Sequence, residues 1–287
     1  MPPMAVDPDR RELDIDIPAQ PEALVRLSLL AEEEIDLPAA ASLIESDMAL
    51  AAAVMKAVNS SLYGLRGRVQ SVQQALTYLG MREVAGITSE LGLRAAFAPA
   101  LELEPLWQRA ARRGLIMGRI AQALGLDSWA AHSAGLFEEC GKAVLFRHAT
   151  DHYRSMPRAA PTDVDLVALE RVGFGASHDA LGAVLCDSWG LGPGAVASVR
   201  HHVQVQAGAE IPPHLPRRAV CGLSAVAHAL MNAPDTLDTV AARIAPQAAL
   251  DALLLARAGD VCRTPAGRPR SRGLSRAPPS ARAEDET

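Results

Sequence analysis

The sequence predicts an all-α protein, and three observations carry that prediction. Hydrophobic residues fill 49% of the 287 positions, yet aromatic residues fill only 3%. A core built so largely of Ala and Leu suits helices better than β-sandwiches. Alternating β-branched runs are almost missing between residues 21 and 256, whereas helix start and stop signals recur along the same span.

Those signals divide the chain in order. Residues 1–20 are acidic and proline-rich and read as a loose leader. Pro38 opens a first helix. Asp47 has the character of an N-cap for the apolar run Met48 to Val58. Asn59 and Ser60 then end that helix with side chains suited to bonding backbone groups, and Gly64 and Gly67 make a sharp connection. Ser71 and Gln74 form a capping box before Ala75-Leu76, and Gly80 stops that helix. Pro105 opens a long helix that ends near Gly125, and Asp127 starts the next. Gly135 to Lys142 belongs to an apolar helical stretch. Thr162 and Asp165 mark a helix start before Leu166 to Glu170, and Gly173-Phe174-Gly175 reads as a short loop. Pro193 begins a helix running to His201-His202, and Pro216 opens another. A trailing helix is expected over 233–256, and 257–287 form a disordered tail rich in Arg and Pro, too poor in apolar residues to offset its ordering entropy.

Composition narrows the function. The net charge of −5 argues against wholesale binding to nucleic-acid phosphates. Residues 263–287 hold several arginines that an acidic partner or a nucleic acid would meet, although a solvated tail is the plainer reading. Cys140, Cys186, Cys221 and Cys262 are scattered, with neither disulfide-framework nor zinc spacing. No apolar run reaches the roughly 18 residues needed to span a bilayer, and the N-terminus is unlike a signal peptide. A cytoplasmic protein is the resulting expectation. Nucleophile elbows, Walker loops and GxGxxG turns are absent from the sequence.

The chemistry concentrates at Gly135-Leu136-Phe137-Glu138-Glu139-Cys140-Gly141-Lys142, where two adjacent carboxylates interrupt an apolar run. Carboxylates are rarely buried without a partner or a metal. Cys140, beside Lys142, reads as a packed thiol. His132, His148 and His152 fall in no motif.

Three blocks in order resemble the HDOD family, bacterial signalling modules related to HD-type phosphohydrolases. The first runs from Leu37-Pro38 through Asn59-Ser60-Ser61-Leu62-Tyr63-Gly64 to Ser71 and Ala75-Leu76-Thr77-Tyr78-Leu79-Gly80. The second is Gly135 to Leu145. The third runs from Glu170-Arg171 through His178, Gly182, Leu185 and Trp189-Gly190-Leu191 to His201-His202. The resemblance spans about residues 20–230. It implies an HD-domain-like multi-helix bundle over 21–256, with an N-terminal helical subdomain (21–100) and an HD-like subdomain (101–232). In the third block the proline of the family's Trp-x-Leu-Pro is displaced by one, to Pro193.

The resemblance also implies a metal site. The family's His-Asp dyad falls on Glu138-Glu139, and the His two residues after Trp107 is replaced by Arg109. His178, His201 and His202 occupy the remaining vestigial positions, with Glu170 and Lys142 as cleft support. For His178 the plainer reading is a hydrogen-bonded core residue. His201 and His202 are adjacent on a helix, so they diverge by about 100° and will not both serve one metal. Arg109 is expected to pair with Glu138 or Glu139 in place of the metal. The implied function is a non-catalytic signalling module, without metal or cofactor, that binds an unknown protein partner or a nucleotide or other small-molecule ligand. The alternative is a metal-dependent phosphohydrolase resembling cyclic di-GMP phosphodiesterases.

Overall fold

The computed structural model describes residues 15–19, 37–46, 48–59 and 69–263. Regular structure among them is entirely helical. The first helices are α1 (Leu37–Ser46), α2 (Met48–Val58), α3 (Val72–Leu79) and α4 (Met81–Ala95). The central ones are α5 (Glu104–Ala123), α6 (Ser128–Phe137), α7 (Cys140–His148) and the short α8 (Thr150–Tyr153) and α9 (Met156–Ala159). Then follow α10 (Asp163–Phe174), α11 (His178–Ser188), α12 (Pro193–Gln206), α13 (Arg218–Asn232), α14 (Leu237–Ala248) and α15 (Ala252–Arg263). None of these helices is long and apolar enough to cross a membrane.

Local signals set most boundaries. Pro38 lies in the first turn of α1, and Pro105 in that of α5. Asp127 accepts from the Ala130 amide at 3.0 Å, and Thr162 and Asp165 form a reciprocal capping box at the start of α10. Ser71 caps the Gln74 amide, but Gln74 returns to the Gln70 amide rather than to Ser71, so only half of the expected box forms. Asn59 Nδ2 closes α2 on the carbonyls of Met55 and Val69. Asp47, Ser60, Gly64 and Gly67 lie outside the described residues.

Several boundaries differ from expectation. The Gly135–Lys142 stretch is two helices, broken at Glu138-Glu139. Gly173 and Phe174 are the last residues of α10 rather than a loop, because Gly175 at φ +75° supplies the left-handed cap. Helix α12 continues one turn beyond His202, and α13 begins two residues after Pro216. The trailing region is two helices, and α15 runs to Arg263, beyond the expected limit of 256. Leu255, Ala256 and Ala258 are buried, and that apolar face holds the added turn in place. Residues 264–287 lie outside the described residues.

The leader is also not wholly loose. Residues 15–19 form no regular secondary structure, yet Trp189 Nε1 donates to the Pro18 carbonyl at 2.8 Å, and Asp16 pairs with Arg147 at 2.5 Å. Ile15 and Ile17 pack against the core beside Trp107, Phe137 and Trp189.

Three apolar cores organise the bundle. One joins α1–α4 around Ile44, Val54 and Leu76. A second joins the end of α4 to α5, α7 and α11 around Leu93, Trp107 and Leu145. The third unites α5 and α6 with α12–α15 around Met117, Leu223 and Ile244. The packing therefore draws no boundary at 232, because α14 and α15 complete the core begun by α5 and α6.

Besides the apolar contacts of Leu93, one ring seats α4 against α5 and α6. His132 on α6 stacks on Trp129 and fills a hole between glycines of two helices. A Cβ at Gly86 on α4 would lie 2.7 Å from its Nε2, and Cβ atoms at Gly114 and Gly118 on α5 would lie 3.0 and 3.2 Å from other His132 atoms. His132 Nε2 is buried with no partner among the described residues. Burial pushes its pKa from 6.5 down to about 4.

Folding thus favours the neutral ring. Its contribution is complete above pH 6.5, is lost as pH falls toward 4, and changes no further below that. At most about 3.4 kcal/mol is involved, from 1.36 kcal/mol per unit. Urea midpoints should fall more steeply across that window in the wild type than in His132→Gln, where His201, His202 and His228, also lowered by burial, leave a residual slope. Equal slopes in both proteins would refute the assignment. Glu139 and Asp163, described below, are held below the ordinary carboxylate range, so their contributions are lost at lower pH.

Candidate functional site

Glycines flank Glu138-Glu139 in sequence, and they explain how the pair is buried. A Cβ at Gly135 would lie 2.8 Å from Met117 Sδ and 2.9 Å from the Gly114 amide of α5. A Cβ at Gly141 would lie 1.9 Å from the His178 carbonyl oxygen of α11. Bare backbone on both sides lets the α6–α7 turn press between α5 and α11. The two glutamates are left 0% and 4% exposed.

Each finds partners. Glu139 Oε2 accepts from Arg109 Nη2 at 3.0 Å and Nε at 3.2 Å, and Oε1 accepts from Arg113 Nη2 at 3.2 Å. Lys142 Nζ stands 3.7 Å from Glu139 and binds Asp163 at 2.8 Å, which ties α7 to the start of α10. Burial alone would raise the Glu139 pKa, but Lys142, Arg113 and Arg109 together hold it well below the ordinary carboxylate range. Burial likewise opposes ionisation of Asp163, and Lys142 outweighs it.

Glu138 accepts from Ser224 Oγ at 2.7 Å and from Gln206 Nε2, and Gln206 also bonds Ser224 at 3.0 Å. Arg113 Nε lies 3.1 Å from Glu138 Oε1, close enough for an ion pair but outside hydrogen-bonding angles. Arg113 Nη1 has no partner among the described residues.

Arg109 thus meets Glu139 and not Glu138, and Arg113, 2% exposed, bridges both. Sequence reasoning missed Arg113. Its signal is helical spacing, since it stands four residues beyond Arg109 on the same face of α5. Gln206 has the same relation to His202 on α12.

The histidines form a second, deeper group. Glu170 accepts from the backbone amide and Nδ1 of His178, both at 2.7 Å, and from the Tyr153 hydroxyl at 2.7 Å. Burial, then the Glu170 carboxylate, pushes the Tyr153 phenol up. His202 Nδ1 donates to the Val199 carbonyl at 2.7 Å. The rings of His178 and His202 are 5.4 Å apart, and each Nε2 is buried with no partner among the described residues. Burial lowers the His202 pKa, opposed by Glu138 and assisted by His178.

His201 takes no part in either group. It is partly buried, and the charged groups that act on it are Arg200, Asp179 and His214. Cys140 starts α7 as a buried free thiol. No three His, Cys, Asp or Glu side chains among the described residues are grouped so as to hold a metal ion.

Beside the cluster opens a cleft of about 930 Å³, walled by α5, the α9–α10 connection, α12 and α13. Arg109, Arg113, Glu139 and Lys142 line it, as does His228, which no sequence motif marked. Burial, then Arg113, lowers the His228 pKa.

Among the described residues the structure is a strand-free helical bundle with an ion cluster buried beside a cleft. The chain belongs to the HDOD domain family, whose model matches residues 17–205. It is 26% identical over 226 residues to an uncharacterised protein of Treponema pallidum (strain Nichols). That match takes in 76% of this chain but only 42% of the relative's length.

Among solved structures it resembles a candidate signal transduction protein from Marinobacter aquaeolei VT8 (TM-score 0.67, 22% identity, 86% of this chain and 57% of that one). It also resembles an HDOD domain protein of unknown function from Geobacter sulfurreducens (0.66, 19%, 86% and 89%). A candidate phosphohydrolase from Shewanella amazonensis SB2B aligns equally well (0.66, 19%, 85% and 90%). At these identities the likeness is one of fold.

Proposed function

We propose that this chain is a non-catalytic HDOD signalling module, which works by binding a protein or a ligand rather than by hydrolysis. One observation carries the reading: the buried guanidinium of Arg113 lies within 3.2 Å of both Glu138 and Glu139. The residues present do not fit a divalent metal there. Like charges at 4 Å repel by about 4 kcal/mol in a partly dry site, and both carboxylates already spend their charge on Arg113, with Arg109 and Lys142 also drawn to Glu139. The candidate signal transduction protein among the structural neighbours agrees with this reading.

The rival is a metal-dependent phosphohydrolase. It is favoured by the two unpartnered Nε2 atoms of His178 and His202 and by the candidate phosphohydrolase of the same fold. Elemental analysis of purified protein, with a cyclic-dinucleotide and phosphomonoester hydrolysis assay, separates the two. The proposal expects substoichiometric metal and no turnover, with or without added Mn²⁺ or Fe²⁺. A stoichiometric metal accompanied by hydrolysis would refute it.

A further inference from the structure

We infer that the cleft beside Arg113 is a binding site for an organic anion: a phosphate or carboxylate carried on an apolar body. This deepens the reading of the chain as a binding module and rests on it.

Charge is the first argument. Arg109, Arg113, Lys142, Arg154 and Arg158 all line the cleft. The carboxylates facing them are Glu102, Glu139 and Asp163, so the lining carries five cations against three anions. The carboxylates are also committed. Glu139 is shared by Arg109 and Arg113, Asp163 is held by Lys142, and Glu102 binds Arg154 at 2.8 Å.

Donor supply is the second and independent argument. Arg113 lines the cleft at 2% exposure, and its Nη1 is buried with no partner among the described residues. A buried guanidinium donor left unmade costs free energy that an acceptor would recover. The two neighbouring glutamates leave that donor unused, so a further anionic or polar oxygen is what it lacks. Arg109 is nearly half exposed on the same wall and offers a second guanidinium edge.

Shape is the third. Leu106, Phe146 and Val203 give the cleft an apolar shelf. The volume lies within the range of small-molecule sites, where a few polar groups orient a largely apolar ligand. A bare inorganic anion would leave this shelf uncovered, and a neutral aromatic would leave Arg113 unsatisfied.

The test uses the full chain and four probes: phenyl phosphate, benzoate, inorganic phosphate and phenol. In calorimetric titration, phenyl phosphate or benzoate should saturate with one site per chain, at least tenfold tighter than inorganic phosphate, and phenol should give no saturable heat. Phenyl phosphate binding with weak benzoate selects a phosphate ligand, and the reverse selects a carboxylate. Removing Arg113 endangers the fold, so the variants are Arg109→Gln and the rim change Arg158→Gln. Each should keep the wild-type circular dichroism and weaken the tighter probe at least fivefold.

The inference fails if neither anion saturates in the low millimolar range, if phenol binds equally well, or if both variants bind as the wild type does. Release of phenol and phosphate from bound phenyl phosphate would leave the anion site standing and overturn the non-catalytic reading. Absence of binding would overturn the site and leave that reading intact.

Discussion

Gly141→Ala is expected to abolish the native fold. The added methyl would stand 1.9 Å from the His178 carbonyl oxygen, 2.7 Å from its carbon and 2.8 Å from the Gly182 amide nitrogen. All three are backbone atoms, so no side-chain rotation relieves the contact, and α7 and α11 must separate. Ordinary overpacking costs about 1–3 kcal/mol. A clash against fixed backbone should exceed about 4 kcal/mol, a large part of the roughly 5–15 kcal/mol that stabilises a typical domain. The variant should be insoluble or lack a cooperative thermal transition. Gly192→Ala is the control. It has nothing within 4 Å and an ordinary φ of −60°, and it should melt close to the wild type. A Gly141→Ala protein with a wild-type midpoint would show that the two helices are not in backbone contact.

Arg113→Met should destabilise the protein by about 3–5 kcal/mol, the range for removing one partner of a buried ion pair. The cost falls mainly on Glu138, fully buried and then left with only Ser224 and Gln206 as donors. Glu139 retains Arg109 and Lys142. Neutralising the stranded carboxylate should restore most of the loss, so the double variant Arg113→Met with Glu138→Gln should unfold at a higher denaturant concentration than Arg113→Met alone. Strict additivity of the two single changes would mean that Arg113 and Glu138 do not interact.

Arg113 also marks the limit of what the sequence disclosed. Two adjacent carboxylates inside an apolar run announce themselves, because no ordinary core explains them. The cation that answers them does not. Arg109, Arg112 and Arg113 lie within five residues on α5, and only the positions of neighbouring helices decide that Arg112 is exposed and Arg113 buried. The caps at Asp127 and Thr162 were legible because capping is a contact over three residues. Glu170 was legible as cleft support and His178 as a hydrogen-bonded core residue, and the Tyr153 hydroxyl on the same carboxylate was not.

The leader misled for another reason. Its acid and proline content suggests a loose leader, but Ile15 and Ile17 alternate about Asp16, which is 78% exposed in its pair with Arg147. That alternation fits an extended segment laid on an apolar surface. At the other end, the arginine-rich composition hid the last turns of α15, where Leu255 and Ala258 are inward and Arg257 is outward.

The hole that receives His132 has a consequence for how this molecule responds to its solvent. Gly86, Gly114 and Gly118 hold the ring by shape, and the neutral ring bears no charge. Salt screens exposed ion pairs over about 10 Å at 0.1 M but leaves steric fit unchanged. Added electrolyte will therefore loosen the outer link from Arg94 on α4 to Glu104 on α5 while the seat of the ring keeps its form. The first four helices should stay docked in concentrated brine and come loose in mild acid.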